Sequence, residues 1–318
     1  TNHVSEHYDA MYIGHMDTVF PDGTAEKRPF RIEGENYYGP GVGDMKNGDL
    51  AMFHIAANLP ETEKKCLNIA MVYNPDEEIG SIYSKEITDR IGCQADHIFV
   101  MESAGKNGTR HCFARKGSLT YDIEFQGQAA HAGFMFEVEN ASAVLEMGHY
   151  IVELMSLADR EKDTTVNVGI ANGGTARNVV ADHAKISVEM RFRDDSERIR
   201  LKEYVNKITE GQPFVPGVKT TITMQKETPP FIKTEEAKKY IERVRKVAEE
   251  QGIPFEEKDR GGLSDANHLS RCGNAIVMDG MGPHGANDHS EKEYGYIGSV
   301  EPCVKLHLAI LKDMLKKQ

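Results

Sequence analysis

The sequence predicts an α/β protein, a largely parallel central sheet flanked by helices, interrupted by an inserted ferredoxin-like α+β unit. Three observations carry this expectation. Short apolar runs alternate with helical stretches up to about Arg115, and the same rhythm resumes after Pro229-Pro230. Between those points the order of elements becomes β-α-β-β-α-β. Finally, acidic residues and histidine stand just beyond the apolar runs, where open α/β sheets place their sites.

Ala10 to Gly14 reads as a short buried strand with the polar tip His15-Met16-Asp17. Residues two apart on a strand share a face, so Asp17 can stand behind His15 and accept its second ring N–H. Gly39 to Gly48 is a glycine-rich loop that carries Asp44 and lets backbone approach a ligand closely. Leu50 to Leu59 follows as an apolar helical run. Cys66 to Tyr73 reads as a second buried strand, delivering Asp76-Glu77-Glu78, and Ser81 to Ile91 as a helix. A third strand, His97 to Met101, delivers Glu102.

In the inserted unit, strands are expected at Leu119 to Phe125, Thr164 to Ile170, Ala184 to Phe192 and Lys219 to Met224. Helices are expected at Val138 to Leu157 and Ser196 to Thr209. The third of these strands alternates cleanly, with Lys185, Ser187, Glu189 and Arg191 on its polar face, so one face of the sheet is covered and the other open to contacts. After the proline pair, Thr234 caps a helix whose Ala237, Tyr240, Ile241, Val244 and Val247 recur at helical spacing. Ala275 to Met278 is another strand. Ser299 to Leu315 is a closing helix with Val304, Leu308, Leu311 and Leu315 inward. His289 lies in this returning segment, so the domain bearing the acidic and histidine set is discontinuous, 1–115 with 226–318, around an insert of 116–225.

The chain has 318 residues, enough for two domains of ordinary size. Its net charge of −12 argues against nucleic acid or an anionic membrane as main partner, because phosphate binding needs a basic surface. No apolar run approaches the roughly 20 residues of a membrane span, and no signal peptide is visible. Cys66, Cys93, Cys112, Cys272 and Cys303 show no C-x-x-C spacing and read as reduced thiols of a cytoplasmic protein.

His15, Asp17, Asp44, Glu77, Glu78, Glu102 and His289 form an ordered oxygen and nitrogen donor set without cysteine. Taken singly each is most simply a surface residue, but their places at strand ends set them apart. Five motifs carry a resemblance: Gly14-His15-Met16-Asp17-Thr18-Val19, Gly39 to Asp44, Asp76-Glu77-Glu78-Ile79-Gly80-Ser81, Gly127-Gln128-Ala129-Ala130-His131-Ala132-Gly133, and His289-Ser290-Glu291-Lys292-Glu293-Tyr294. In order and rough spacing the chain resembles the zinc metallopeptidase family of glutamate carboxypeptidase, acetylornithine deacetylase, succinyl-diaminopimelate desuccinylase and aminoacylase. Its motif wording is nearest the bacterial glutamate carboxypeptidases.

The resemblance implies a zinc-exopeptidase-like catalytic domain with an inserted dimerisation domain, and two Zn²⁺ per subunit, with Co²⁺ or Mn²⁺ able to substitute. Asp44 would bridge the metals, His15 and Glu102 complete one site, and Glu78 and His289 the other. Glu77 would be the general base, and the Asp44-Met45 peptide bond cis. His131 would reach the active site, often of the partner subunit of a homodimer, and donate to the oxyanion; the alternative is a loop histidine between glycines. Asn178 and Arg191 match the pair that holds a substrate carboxylate, although Arg191 could instead pair beside Glu189, or Arg193 could be the reader. Gly262, in Gly261 to Asn267, matches a substrate loop or else a structural turn. His284 is an additional histidine without a family role. Relatives carry a further helix and strand ahead of the His15 strand, where here little sequence precedes it. The expected substrate is a small peptide or N-acyl amino acid with a free carboxylate. A deacylase, a di- or tripeptide aminopeptidase, and a metal-binding relative without turnover remain as alternatives.

Overall fold

A computed structural model of the chain describes residues 6–317. They form two compact units, one holding the described residues up to Arg115 together with those from Phe231 onward, the other Lys116–Pro230. The second unit ends at Pro230 rather than 225 because the strand Lys219–Thr228 runs on past an irregularity at Met224/Lys226.

In the first unit the strands Tyr8–His15, Ile69–Asn74, Ala95–Val100 and Ile276–Met278 form a sheet in which every pairing is parallel. The strand Tyr8–His15 lies inside it, and both its faces are covered. Ala10 and Tyr12 enter a core with Phe99, Met52, Ile55, Ile241, Val244 and Ile310, while Met11 and Ile13 enter another with Ala70, Ile98, Leu269 and Val277. This double burial explains an apolar run without alternation. The helices Asn47–Asn58, Glu235–Glu250 and Val300–Met314 cover the first face.

Several boundaries moved. The second strand begins at Ile69, because Cys66 closes a short helix, Glu61–Cys66. The helix after Glu78 begins at Lys85, since Ser81 sits in the left-handed region at φ 55° and cannot open it. The closing helix buries Leu306, His307, Ile310, Leu311 and Met314 most deeply, so its inner stripe is rotated from the expected Val304, Leu308, Leu311 and Leu315.

A mixed five-stranded sheet is absent from the sequence reading. It joins Arg31–Glu33, Asn36–Tyr38, Tyr294–Tyr296, Gly282–Ala286 and Ser103–Ala104. Tyr294 lies opposite Tyr38, which brings the segment after His289 against the start of the glycine-rich loop.

In the second unit the strands Thr165–Gly173, His183–Phe192, Gly117–Gln126 and Lys219–Thr228 form an antiparallel sheet in that spatial order. With the helices Ala143–Met155 and Asp195–Glu210 this is the β-α-β-β-α-β order expected. Along His183–Phe192 every second residue from Ala184 to Phe192 is buried. The first helix starts at Ala143, not Val138: Ser142 accepts from the Leu145 amide as N-cap, and Asn140 is engaged by the Met135 and Val138 carbonyls.

Candidate active site

His15, Glu77, Glu78 and Glu102 sit where strands leave the parallel sheet, and Asp44 and His289 follow strands of the five-stranded sheet. His15 ends its strand and is 1% exposed. Its Nδ1 lies 3.2 Å from the Asp17 carbonyl and 3.4 Å from Asp17 Oδ1. A carbonyl only accepts, so Nδ1 carries the proton and the Nε2 lone pair is free for a metal. The Asp17 carboxylate also accepts the backbone amides of Glu77, at 3.2 Å, and Glu78, at 2.9 Å. Asp17 therefore ties two strand ends together, a larger role than orienting His15 alone.

Asp44 stands at the centre. His15 Nε2 lies 3.2 Å from its Oδ1, and His289 Nε2 lies 3.0 Å from its Oδ2. Glu102 faces the His15 side, at 3.7 Å from Nε2, and Glu78 faces the His289 side, at 3.2 Å. The Asp44-Met45 peptide bond is cis. His289 has φ 60°, an uncommon conformation for a residue with a side chain, of the kind that clusters at functional sites.

These charges act strongly on one another. Burial pushes the Glu78 carboxyl up to about 7, with the Asp44 carboxylate adding to the rise. Glu77 is pushed well above the ordinary range, first by burial and then by Glu102. Asp44 is held below its usual value despite burial, by the hydrogen bond and charge of His15 and the charge of His289. Glu78 Oε1 is buried without a hydrogen-bond partner. Clustered carboxylates, imidazoles with lone pairs turned inward and an orphaned carboxylate oxygen together make a donor set that fits divalent metal of the zinc type.

The sequence reading missed Glu293, which is 1% exposed. Its carboxylate accepts three amides of the glycine-rich loop, from Gly41 at 2.9 Å, Gly43 at 2.8 Å and Asp44 at 2.9 Å. It stands within the same His289 to Tyr294 motif, so a signal was present, but nothing in the sequence says which residue it holds. Asp49 was missed too; burial pushes its carboxyl up to about 7. So was Arg115, 4% exposed and paired with the buried Asp279; its guanidinium charge adds to the lowering of Asp44 and opposes the rise that burial imposes on Glu102. His284 is buried and its Nδ1 lies 2.9 Å from the Ala104 carbonyl, which makes it part of the scaffold.

His131, Asn178 and Arg191 belong to the other unit. Ala130–His131 pairs with Val179–Val180, and the Ala132 amide donates to the Asn178 carbonyl at 2.9 Å, so His131 and Asn178 lie on neighbouring segments. His131 is exposed, with Nδ1 accepting from the Gly133 amide at 3.1 Å. Arg191 reaches Glu189 at 2.7 Å, and Arg193 is engaged by Asp163 at 2.7 Å. Gly262, in the first unit, is exposed, and a Cβ there would come 3.6 Å from Arg115 Nη1.

Known proteins resemble this chain over most of its length. The sequence model described as peptidase family M20/M25/M40 matches residues 11–313. Carboxypeptidase G2 of Pseudomonas sp. is 25% identical over 96% of this chain and 73% of its own length. A succinyl-diaminopimelate desuccinylase of Halorhodospira halophila is 24% identical over 96% of this chain and 82% of its own. Among solved structures, a tripeptidase from Staphylococcus aureus superposes with a TM-score of 0.80 at 22% identity, over 99% of this chain and 83% of that one. The fold is thus that of such peptidases, an α/β architecture with mixed sheets.

Proposed function

The chain belongs to peptidase family M20/M25/M40 and is a metallohydrolase, and from that premise we propose that it is a two-zinc exopeptidase of glutamate carboxypeptidase type. It cleaves a peptide or N-acyl amino acid bond beside a free carboxylate. One observation carries the two-metal reading: the two oxygens of Asp44 face different histidines, each with its own carboxylate, Glu102 on one side and Glu78 on the other.

His15, Asp44 and Glu102 would hold one metal, and Glu78, Asp44 and His289 the second; Co²⁺ or Mn²⁺ could occupy the same donors. Bound, such a pair supplies Lewis acidity at the scissile carbonyl and acidifies the attacking water. Glu77 takes the proton from that water and delivers it to the leaving amine, a role suited to a carboxyl whose proton affinity burial has raised. Asp17 holds the amides of Glu77 and Glu78 so that their side chains diverge to separate tasks. His131 donates to the oxyanion, and Asn178 and Arg191 receive the substrate carboxylate, for which the guanidinium fork is suited. The Gly262 backbone lines the substrate.

The inserted unit serves a homodimer. Its edge strand Thr165–Gly173 and the helix Ala143–Met155 expose Ile170, Leu145 and Val152, apolar residues that a second copy would cover. All five cysteines are free, which suits the reducing cytoplasm. Among the described residues no helix is long and apolar enough to cross a membrane.

The test is Glu77→Gln on metal-reconstituted protein, assayed by mass spectrometry against dipeptides, tripeptides, N-acyl amino acids and glutamyl conjugates. Metal content stays near wild type while hydrolysis falls by about 10²–10⁴-fold. Unchanged turnover refutes the assigned base. Cleavage confined to free amino termini makes the protein an aminopeptidase instead, and cleavage confined to acyl groups a deacylase.

A further inference from the structure

The loop that carries Glu77 and Glu78 is held at both ends by one buried carboxylate from a distant part of the chain. Asp265, 3% exposed, accepts from Asn74 Nδ2 through Oδ2 at 2.7 Å and from Ser81 Oγ through Oδ1 at 2.6 Å. Asn74 is the last residue of its strand and Ser81 the residue at which the loop closes, so the two bonds bracket the whole Asp76-Glu77-Glu78 turn. Both partners are buried, Asn74 at 1% and Ser81 at 2% exposure.

Within the bracket the loop folds on itself. Asn74 Oδ1 accepts from the Asp76 amide at 3.1 Å, the Ser81 amide donates to the Asp76 carbonyl at 2.7 Å, and the Gly80 amide to the Glu77 carbonyl at 2.6 Å. Ser81 stands in the left-handed region, which a residue with a side chain adopts only where its surroundings enforce it. The bond to Asp265 holds it there together with the Asp76 carbonyl and Asn74 Nδ2, which donates to Ser81 Oγ at 2.9 Å.

Asp265 is itself supported. His268 Nε2 lies 3.0 Å from its Oδ1, and His268 Nδ1 lies 2.5 Å from Asp89 Oδ1. Burial raises the Asp265 carboxyl, but His268, Ser81 and Asn74 outweigh it and hold it below the ordinary range. An ionised carboxylate accepts from the two ends of the loop through separate oxygens, whereas an asparagine in the same place keeps one oxygen and turns an N–H₂ toward the other partner.

We propose that Asp265 is a positioning residue: through its paired bonds to Asn74 and Ser81 it fixes the loop so that Glu77 faces the substrate water while Glu78 faces the metal. This rests on the reading of Glu77 as base and Glu78 as ligand given above. The sequence assigned this stretch, Gly261 to Asn267, to substrate contact or a turn; here its carboxylate points inward, to the catalytic loop.

The experiment compares Asp265→Asn, Ser81→Ala and the double variant with wild type and Glu77→Gln, on full-length protein titrated with Co²⁺ alone. Readouts are kcat and KM on the best substrate of the panel, the dissociation constant and visible spectrum of the second Co²⁺, and Tm. Asp265→Asn is expected to lower kcat or weaken the second Co²⁺ by about 10–100-fold, with KM within about threefold. Ser81→Ala, which removes the bond to Asp265 and the one accepted from Asn74 Nδ2 at 2.9 Å but takes away only a hydroxyl, changes the same readouts in the same direction, and the double variant loses less than the sum of the two. If Asp265→Asn does not fold, Ser81→Ala decides alone. Lowered Tm with wild-type kcat, Co²⁺ affinity and spectrum reduces the clamp to a structural bond and overturns the proposal. Undiminished turnover by Glu77→Gln overturns the base assignment separately, and the Co²⁺ readouts then still decide whether Asp265 positions Glu78.

Discussion

At the scale of single residues, the clustered carboxylates and histidines are held by side chains packed behind them. Glu293 is the clearest case. Three amides of the Gly41 to Asp44 backbone converge on its carboxylate, and one of them belongs to Asp44 itself. Glu293→Gln keeps the size but turns an amide N–H₂ toward backbone donors, so the loop loses at least one acceptor. Affinity for added Zn²⁺, the metal proposed above, is expected to fall by about 10–100-fold by calorimetry. Wild-type affinity would show that the loop holds its shape unaided. The candidate donors were legible in the sequence because His15, Glu77, Glu78 and Glu102 sit just past apolar runs and Asp44 and His289 within distinctive motifs, whereas Glu293, Asp49 and Arg115 were not. Their significance lies in what they touch across the fold, and no local pattern encodes that.

At the scale of elements, legibility followed length and periodicity. The helix Glu235–Glu250 was read with its cap and inner stripe because both are written in adjacent residues. Thr234 accepts from the Ala237 amide at 3.1 Å, and Thr234→Ala is expected to cost about 1 kcal/mol, while Thr234→Ser keeps most of it. Thermal melts should show a drop of about 2–4 °C for the alanine variant with unchanged kinetics. An unchanged melt would mean that this cap contributes nothing measurable. The five-stranded sheet escaped notice since strands such as Asn36–Tyr38 and Tyr294–Tyr296 are too short to show a period. In the closing helix, apolar residues occur on several sides, and His307 rather than Val304 faces inward, with its Nε2 donating to the Met281 carbonyl at 2.9 Å.

At the scale of the whole molecule, buried neutral histidines make stability depend on pH. Burial pushes His111 and His307 down to about 4, from the 6.5 of an exposed imidazole. Above 6.5 neither state binds the proton. As pH falls from 6.5 towards 4 the unfolded chain takes it up and the folded protein does not, so stability declines across that window, by up to roughly 3 kcal/mol per histidine. Tm should fall steadily between pH 7 and 5, with a shallower slope in His111→Gln; a flat profile would show that the unfolded chain gains no protons there. The overall architecture was legible because long strands and helices dominate both units. The short sheet that joins distant segments was not, and it has a consequence for how the protein matures. Tyr294–Tyr296 must add to Asn36–Tyr38 before His289 and Glu293 can reach Asp44. A growing chain still attached to the ribosome holds only part of the ligand set. Asp44 and His289, proposed above as metal ligands, thus come together only when these two distant segments have paired, and a truncated product that ends before His289 would lack one of them.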